Sequence, residues 1–130
     1  MEPLPEPEDL IWLFEGEPDY PYAEDERRAG YELGWREPWP YTRVIFRLSR
    51  DGRSVLLDLE PGYEQVRLQI RDAESEVVDL LLRQVSGMAI DRSKGQELLR
   101  LDFAESFNGR SLWLRLKPEI SLGWEVGSFV

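Results

Sequence analysis

The chain has 130 residues and a mass of 15.3 kDa, with 26 acidic against 16 basic residues and a formal net charge of −10. It contains neither cysteine nor histidine, which removes disulfides, thiolate nucleophiles, zinc sites of the Cys/His kind and any histidine general base. Its length suits one core that buries about two thirds of the unfolded surface, so a single domain over residues 1–130 is expected.

Residues 1–40 hold twelve acids against three arginines, whereas residues 41–130 hold fourteen acids against thirteen basic residues. Nearly the whole net charge therefore sits in the first third. An acidic surface repels nucleic acid and anionic lipid and attracts basic proteins at rates that fall with salt. The opening "MEPLPEPEDLIWLF" starts with acids and prolines where a signal peptide needs a basic start. Its apolar run, Leu10 to Phe14, is far too short to span a membrane, and a soluble cytoplasmic chain is expected. "PEDLIWLF" reads as a short helix or an added strand, and "AEDERRAG" as one or two helical turns ended by Gly30.

The stretch from Glu15 to Tyr41 mixes acids and prolines with Tyr20, Tyr22, Tyr31, Trp35, Trp39 and Tyr41. Disordered acidic tails are poor in aromatic residues, so this irregular segment is expected to pack onto the domain.

From Tyr41 onward the pattern becomes period-2. "YTRVIFRLS" places Val44, Phe46 and Leu48 on one face. An Asp51-Gly52 hairpin leads into "SVLLDLE", with Val55, Leu57 and Leu59 aligned, and "EQVRLQIRD" then aligns Val66, Leu68 and Ile70. These three strands read as a meander. "SEVVDLLLRQVSGMAID" fits a helical stripe as well, but its β-branched start and Gly87 favour one long bent strand. Its "VVDLLL" part is apolar on both faces, which predicts a strand that is shielded by neighbours or serves as a dimer contact. "ELLRLDF" aligns Leu99, Leu101 and Phe103. After an Asn108-Gly109 turn, "SLWLRLKPEISLGWEV" aligns Leu112, Leu114 and Leu116, breaks at Pro118, and continues through Ile120, Leu122, Trp124 and Val126. Val44, Phe46, Leu57, Leu68, Ile70, Leu101, Leu114, Leu122 and Trp124 are the expected core.

The fold class is therefore mainly β, with a β-rich α+β domain as the alternative. About seven antiparallel strands over residues 41–130 form a meander that closes into a sandwich or half-barrel, with the acidic aromatic segment of residues 1–40 packed on it.

Chemistry has few candidates. Glu97, Asp102, Glu105, Glu119 and Glu125 lie on or near strands, where a pair of carboxylates could cleave a glycosidic bond, but solvated partners for the many arginines is the better reading. "GEPDYPYAEDE" is rich in oxygen donors yet lacks the spacing of a calcium loop, and no phosphate or dinucleotide fingerprint occurs. No metal, cofactor or catalytic set is assigned. Arg43, Arg47, Arg67 and Arg71 alternate on neighbouring strands near Asp58, Glu60 and Glu64, which predicts cross-strand ion pairs. Trp113 points away from the leucine face, under the N-terminal segment or into a binding surface.

The resulting reading is a non-enzymatic protein-binding module with a basic protein partner, concretely an immunity or inhibitor protein that neutralises a bacterial toxin or nuclease. Asp19, Glu24, Asp25 and Glu26 are its steering acids, and Tyr20, Tyr22, Trp35 and Trp39 its anchors. The rivals are a carbohydrate-binding sandwich stacking sugars on Trp35, Trp39 or Trp113, and an assembly or chaperone subunit pairing through "VVDLLL". The chain is expected to be a monomer or a homodimer.

Overall fold

Apolar residues at every second position leave each strand with one face that must be buried, and here two sheets bury those faces against each other. The computed structural model describes residues 3–21, 43–73, 75–93, 95–104 and 111–125. They form a helix, α1 (Pro7–Phe14), and eight strands: β1 (Val44–Arg50), β2 (Arg53–Glu60), β3 (Gln65–Asp72), β4 (Ser75–Leu82), β5 (Val85–Ser93), β6 (Gln96–Phe103), β7 (Ser111–Lys117) and β8 (Ser121–Glu125). One four-stranded sheet has the order β1-β2-β3-β4 and the other β5-β6-β7-β8, all pairs antiparallel.

Register follows the alternation read from the sequence. Phe46, Leu57, Leu68 and Leu80 stand in one row across the first sheet, and Ile90, Leu99, Leu114 and Leu122 in one row across the second. Both sheets and α1 contribute to one hydrophobic cluster, in which Val44, Phe46, Leu57, Leu68, Ile70, Leu101 and Leu114 are buried as expected and Leu122 is partly buried. The β1–β2 turn is made by Asp51 and Gly52, both with positive φ (53° and 78°), as a tight hairpin between right-twisted strands requires.

Three expectations are corrected. Residues 75–91 are not one bent strand but belong to β4 and β5, in different sheets, with Gln84 in a left-handed conformation (φ 59°) where the chain passes from one sheet to the other. Among the described residues "VVDLLL" is shielded on its core side only: β4 is an outer strand of its sheet, Leu82 is buried and Val78 and Leu80 partly so, while Val77 and Leu81 are 56% and 55% exposed. Trp124 is not inside. It sits opposite Leu112 on the core side, but β8 is an outer strand, so the ring stands 56% exposed against Phe103 at 5.5 Å between centroids.

Among the alternatives for "PEDLIWLF" the helix is realised. Pro7 lies in its first turn, where a missing N–H costs nothing, beside Glu8 and Asp9 at the positive end of the dipole. Leu10, Leu13 and Phe14 are buried, and Phe14 meets Phe46 of β1 with 5.2 Å between ring centroids. At its C-terminus Glu15 pairs with Arg50 at the end of β1 (3.0 Å) and with Lys117 at the end of β7 (4.0 Å), so one residue ties the helix to both sheets. The flanking chain does the same through its backbone. The Met88 amide of β5 donates to the Pro3 carbonyl (2.7 Å), while Asp19 and Ile45 of β1 exchange two bonds of 2.9 Å. The N-terminal segment thus covers the outer edges of β1 and β5.

Candidate protein interface

Of the eight residues singled out for partner binding, the described chain includes Asp19 and Tyr20. Tyr22, Glu24, Asp25, Glu26, Trp35 and Trp39 lie outside the described residues, as does the "AEDERRAG" stretch. Asp19 is exposed, but its carboxylate accepts a hydrogen bond from Arg47 and its backbone pairs with Ile45. Tyr20 packs partly buried against the core. Asp19 thus attaches the segment to β1 and Tyr20 packs it on the core, as expected of it at this point.

The outer face of the first sheet is built from the residues that alternate with its core positions. Its rows are Ile45, Asp58, Arg67, Leu81 and then Arg47, Leu56, Gln69, Asp79. Arg43 holds Asp58 through two bonds (3.0 and 2.7 Å) with Glu60 at 3.7 Å, and Arg67 holds Asp79 through two (3.2 and 3.0 Å). The expected cross-strand pairing is present, although Arg67 and Arg47 choose Asp79 and Asp19. Hydrogen bonding from Arg67 holds the Asp79 carboxyl below its ordinary range, and the same contact raises Arg67. Beside these pairs, Arg43, Glu60, Gln65 and Leu81 border a shallow hollow of about 150 Å³. Tyr63, in the turn between β2 and β3, is 80% exposed. Sequence reasoning did not assign Tyr63 to a surface, and it gave Val77 and Leu81 one only in the alternative that "VVDLLL" is a pairing strand. For the last two the signal was available in a strand apolar on both faces, and only its place at the sheet edge was missing.

The described carboxylates among the glycosidase candidates have basic partners. Asp102 accepts from Arg100 (2.9 Å) and Ser111 (2.8 Å), Glu119 pairs with Arg115 (3.3 Å) and Glu97 with Lys117 (3.5 Å), while Glu105 and the Glu125 side chain lie outside the described part. Trp113 lies across Gly123 on the outer face of the second sheet. Trp12 of α1 is stacked under the Arg92 guanidinium, 3.5 Å from its ring centroid, beside an open cleft of about 420 Å³ between Pro3–Pro5 and Met88–Ile90. Among the described residues no group of three acidic side chains is placed to hold a metal ion, and no helix is long and apolar enough to cross a membrane.

Two antiparallel meanders of four strands, closed by an N-terminal helix and presenting ion-paired outer faces, define a mainly β sandwich. Among solved structures the chain is similar to a chain of the contact-dependent growth inhibition toxin–immunity protein complex from Klebsiella pneumoniae 342, with a TM-score of 0.71 over 94% of each chain at 15% sequence identity. At that identity the likeness is one of fold. No protein-family model matches the sequence, and no curated protein matches it.

Proposed function

We propose that this protein is an immunity protein, a non-enzymatic inhibitor that neutralises a basic toxin by binding it. The observation that carries the proposal is the fold likeness to a chain of a toxin–immunity complex across 94% of both chains. Two features favour the immunity role over the toxin role. The chain has no histidine or cysteine for catalysis, and a net charge of −10 opposes the nucleic-acid binding that a nuclease needs.

Since Asp19 is engaged by Arg47 and Tyr20 packs on the core, the steering falls chiefly to Glu24, Asp25 and Glu26 and the anchoring to Tyr22, Trp35 and Trp39. Concentrated carboxylates raise the encounter rate with a basic protein, and large aromatic side chains slow its departure. The acidic charge supports a cytoplasmic nuclease as the partner, which a soluble cytoplasmic protein would meet.

The test is to produce the chain together with the protein encoded beside it. That neighbour alone should arrest growth, co-production should restore it, and the two should co-purify in equal amounts. Replacing Glu24, Asp25 and Glu26 by their amides should slow association roughly tenfold at low salt while leaving the melting temperature unchanged. A harmless neighbour, or arrest that persists on co-production, rejects the proposal.

A further inference from the structure

A two-sheet sandwich has four outer strands, here β1, β4, β5 and β8. Asp19 pairs with the outer side of β1, and the Pro3 carbonyl receives the outward amide of Met88 in β5. Among the described residues β4 pairs on one side only, with β3, as β8 does with β7, and β4 is the longer of the two, eight residues against five. An uncovered strand edge presents a row of amides and carbonyls to any extended chain that fits. On β4 this edge runs eight residues, Ser75–Leu82, with Val77 and Leu81 more than half exposed and Val78 and Leu80 only partly buried on the core side.

We propose that β4 is the docking edge of this protein, adding one extended segment of its partner as a fifth strand of the first sheet. This rests on the immunity reading only for the partner's being a protein toxin. The side chains of β4 state the chemistry of that segment. On the core side its residues would continue the rows that end at Val78 and Leu80, which calls for aliphatic side chains. On the outer side they would stand beside Leu81, beside Asp79, which Arg67 already holds, and beside the exposed Glu76, whose charge calls for arginine or lysine. The occupant is an extended segment in which aliphatic and basic residues alternate.

A second copy of the chain is the poorer occupant. Antiparallel self-pairing of β4 about its centre sets Asp79 opposite Asp79, Leu81 or Val77 of the copy, and it joins two molecules of net charge −10.

The probe is an acetylated, amidated eight-residue peptide in which valine and arginine alternate, compared with the same peptide N-methylated throughout. The first should bind saturably and slow amide exchange within residues 75–82, and the second, with equal charge but no N–H to donate, should not bind. Glu76→Lys and Leu81→Lys, both at exposed positions where folding tolerates change, should each weaken binding about tenfold or more. Equal binding by the methylated peptide, protection that maps elsewhere, absence of binding, or a dimer that forms through β4 without peptide would each overturn the proposal. The neighbour-gene assay separates the two ideas. If toxin is neutralised equally by the Glu76→Lys and Leu81→Lys variants, the docking edge is wrong and the immunity role stands. If the peptide binds β4 while no toxicity is relieved, the immunity role is wrong and the edge stands.

Discussion

Trp113 lies so close over Gly123, its partner in the register of β7 and β8, that a Cβ built on the glycine would stand 2.2 Å from the indole Cζ2. Real side-chain contacts do not reach that distance, so the ring occupies the space that any other residue at position 123 would need. Gly123→Ala should therefore push the indole off the sheet and cost about 1–3 kcal/mol, the range for overpacking. Adding Trp113→Ala should remove most of that penalty in a double-mutant cycle, since the clash is between these two residues. Urea unfolding of the four proteins measures it, and a Gly123→Ala penalty that persists without the indole would refute this account.

Core and outer positions alternate along β3, and they should differ in stability cost. Leu68 is fully buried in a row with Phe46, Leu57 and Leu80, so Leu68→Ala should cost about 2–5 kcal/mol. Gln69, the next residue, faces outward and hydrogen-bonds the exposed Asp79, so its change to Ala should cost about 1 kcal/mol or less. Denaturant midpoints for the two variants decide the orientation of the strand.

The Asp79–Arg67 pair predicts a pH dependence with a definite sign. The folded-state carboxyl titrates below its ordinary value of 3.8, so it contributes stability that is fully present above that value and is lost as pH falls through the lower folded one. Asp79→Asn should lose this small contribution at neutral pH, and its stability should converge on that of the parent protein in acid. Both groups are solvent-exposed, so salt should shrink the difference. A gap that widens in acid would show that the pairing is not its source.

Phe14 anchors α1 on Phe46, and the chain on either side of the helix covers the edges of β1 and β5. Phe14→Ala should cost about 3–5 kcal/mol, and the amides of Ile45 and Met88 should lose exchange protection together. Independent exchange at the two sites would mean that the segment does not act as one clamp.

Strand positions and their buried faces were legible in the residues themselves, because alternation over "YTRVIFRLS", "EQVRLQIRD" and "SLWLRLK" depends only on the two-residue repeat of an extended chain. The Asp51-Gly52 turn was legible for a similarly local reason, as was the cross-strand pairing of Arg43 with Asp58. The concentration of acid in residues 1–40, the missing histidine and cysteine, and hence the direction of the functional reading, also come from composition alone.

What lay beyond the sequence was every property set by a strand's neighbours. Alternation marks a face but not a place in the sheet, so nothing local distinguishes a central β4 from an outer one, and the exposure of Val77, Leu81 and Trp124 was decided by strand order. The change of sheet at Gln84 is one residue's backbone conformation, held by backbone bonds to distant segments: the Ala104 amide donates to the Gln84 carbonyl and the Val85 amide to the Glu64 carbonyl, both at 3.1 Å. The pairing of Asp19 with Arg47 was not legible, because the two lie 28 residues apart along the chain and only the bridge to Ile45 brings them together. Local residue pattern determined which side of each strand is apolar, and tertiary structure alone determined which of those sides another strand covers, because burial is a relation between segments that the chain makes only on folding.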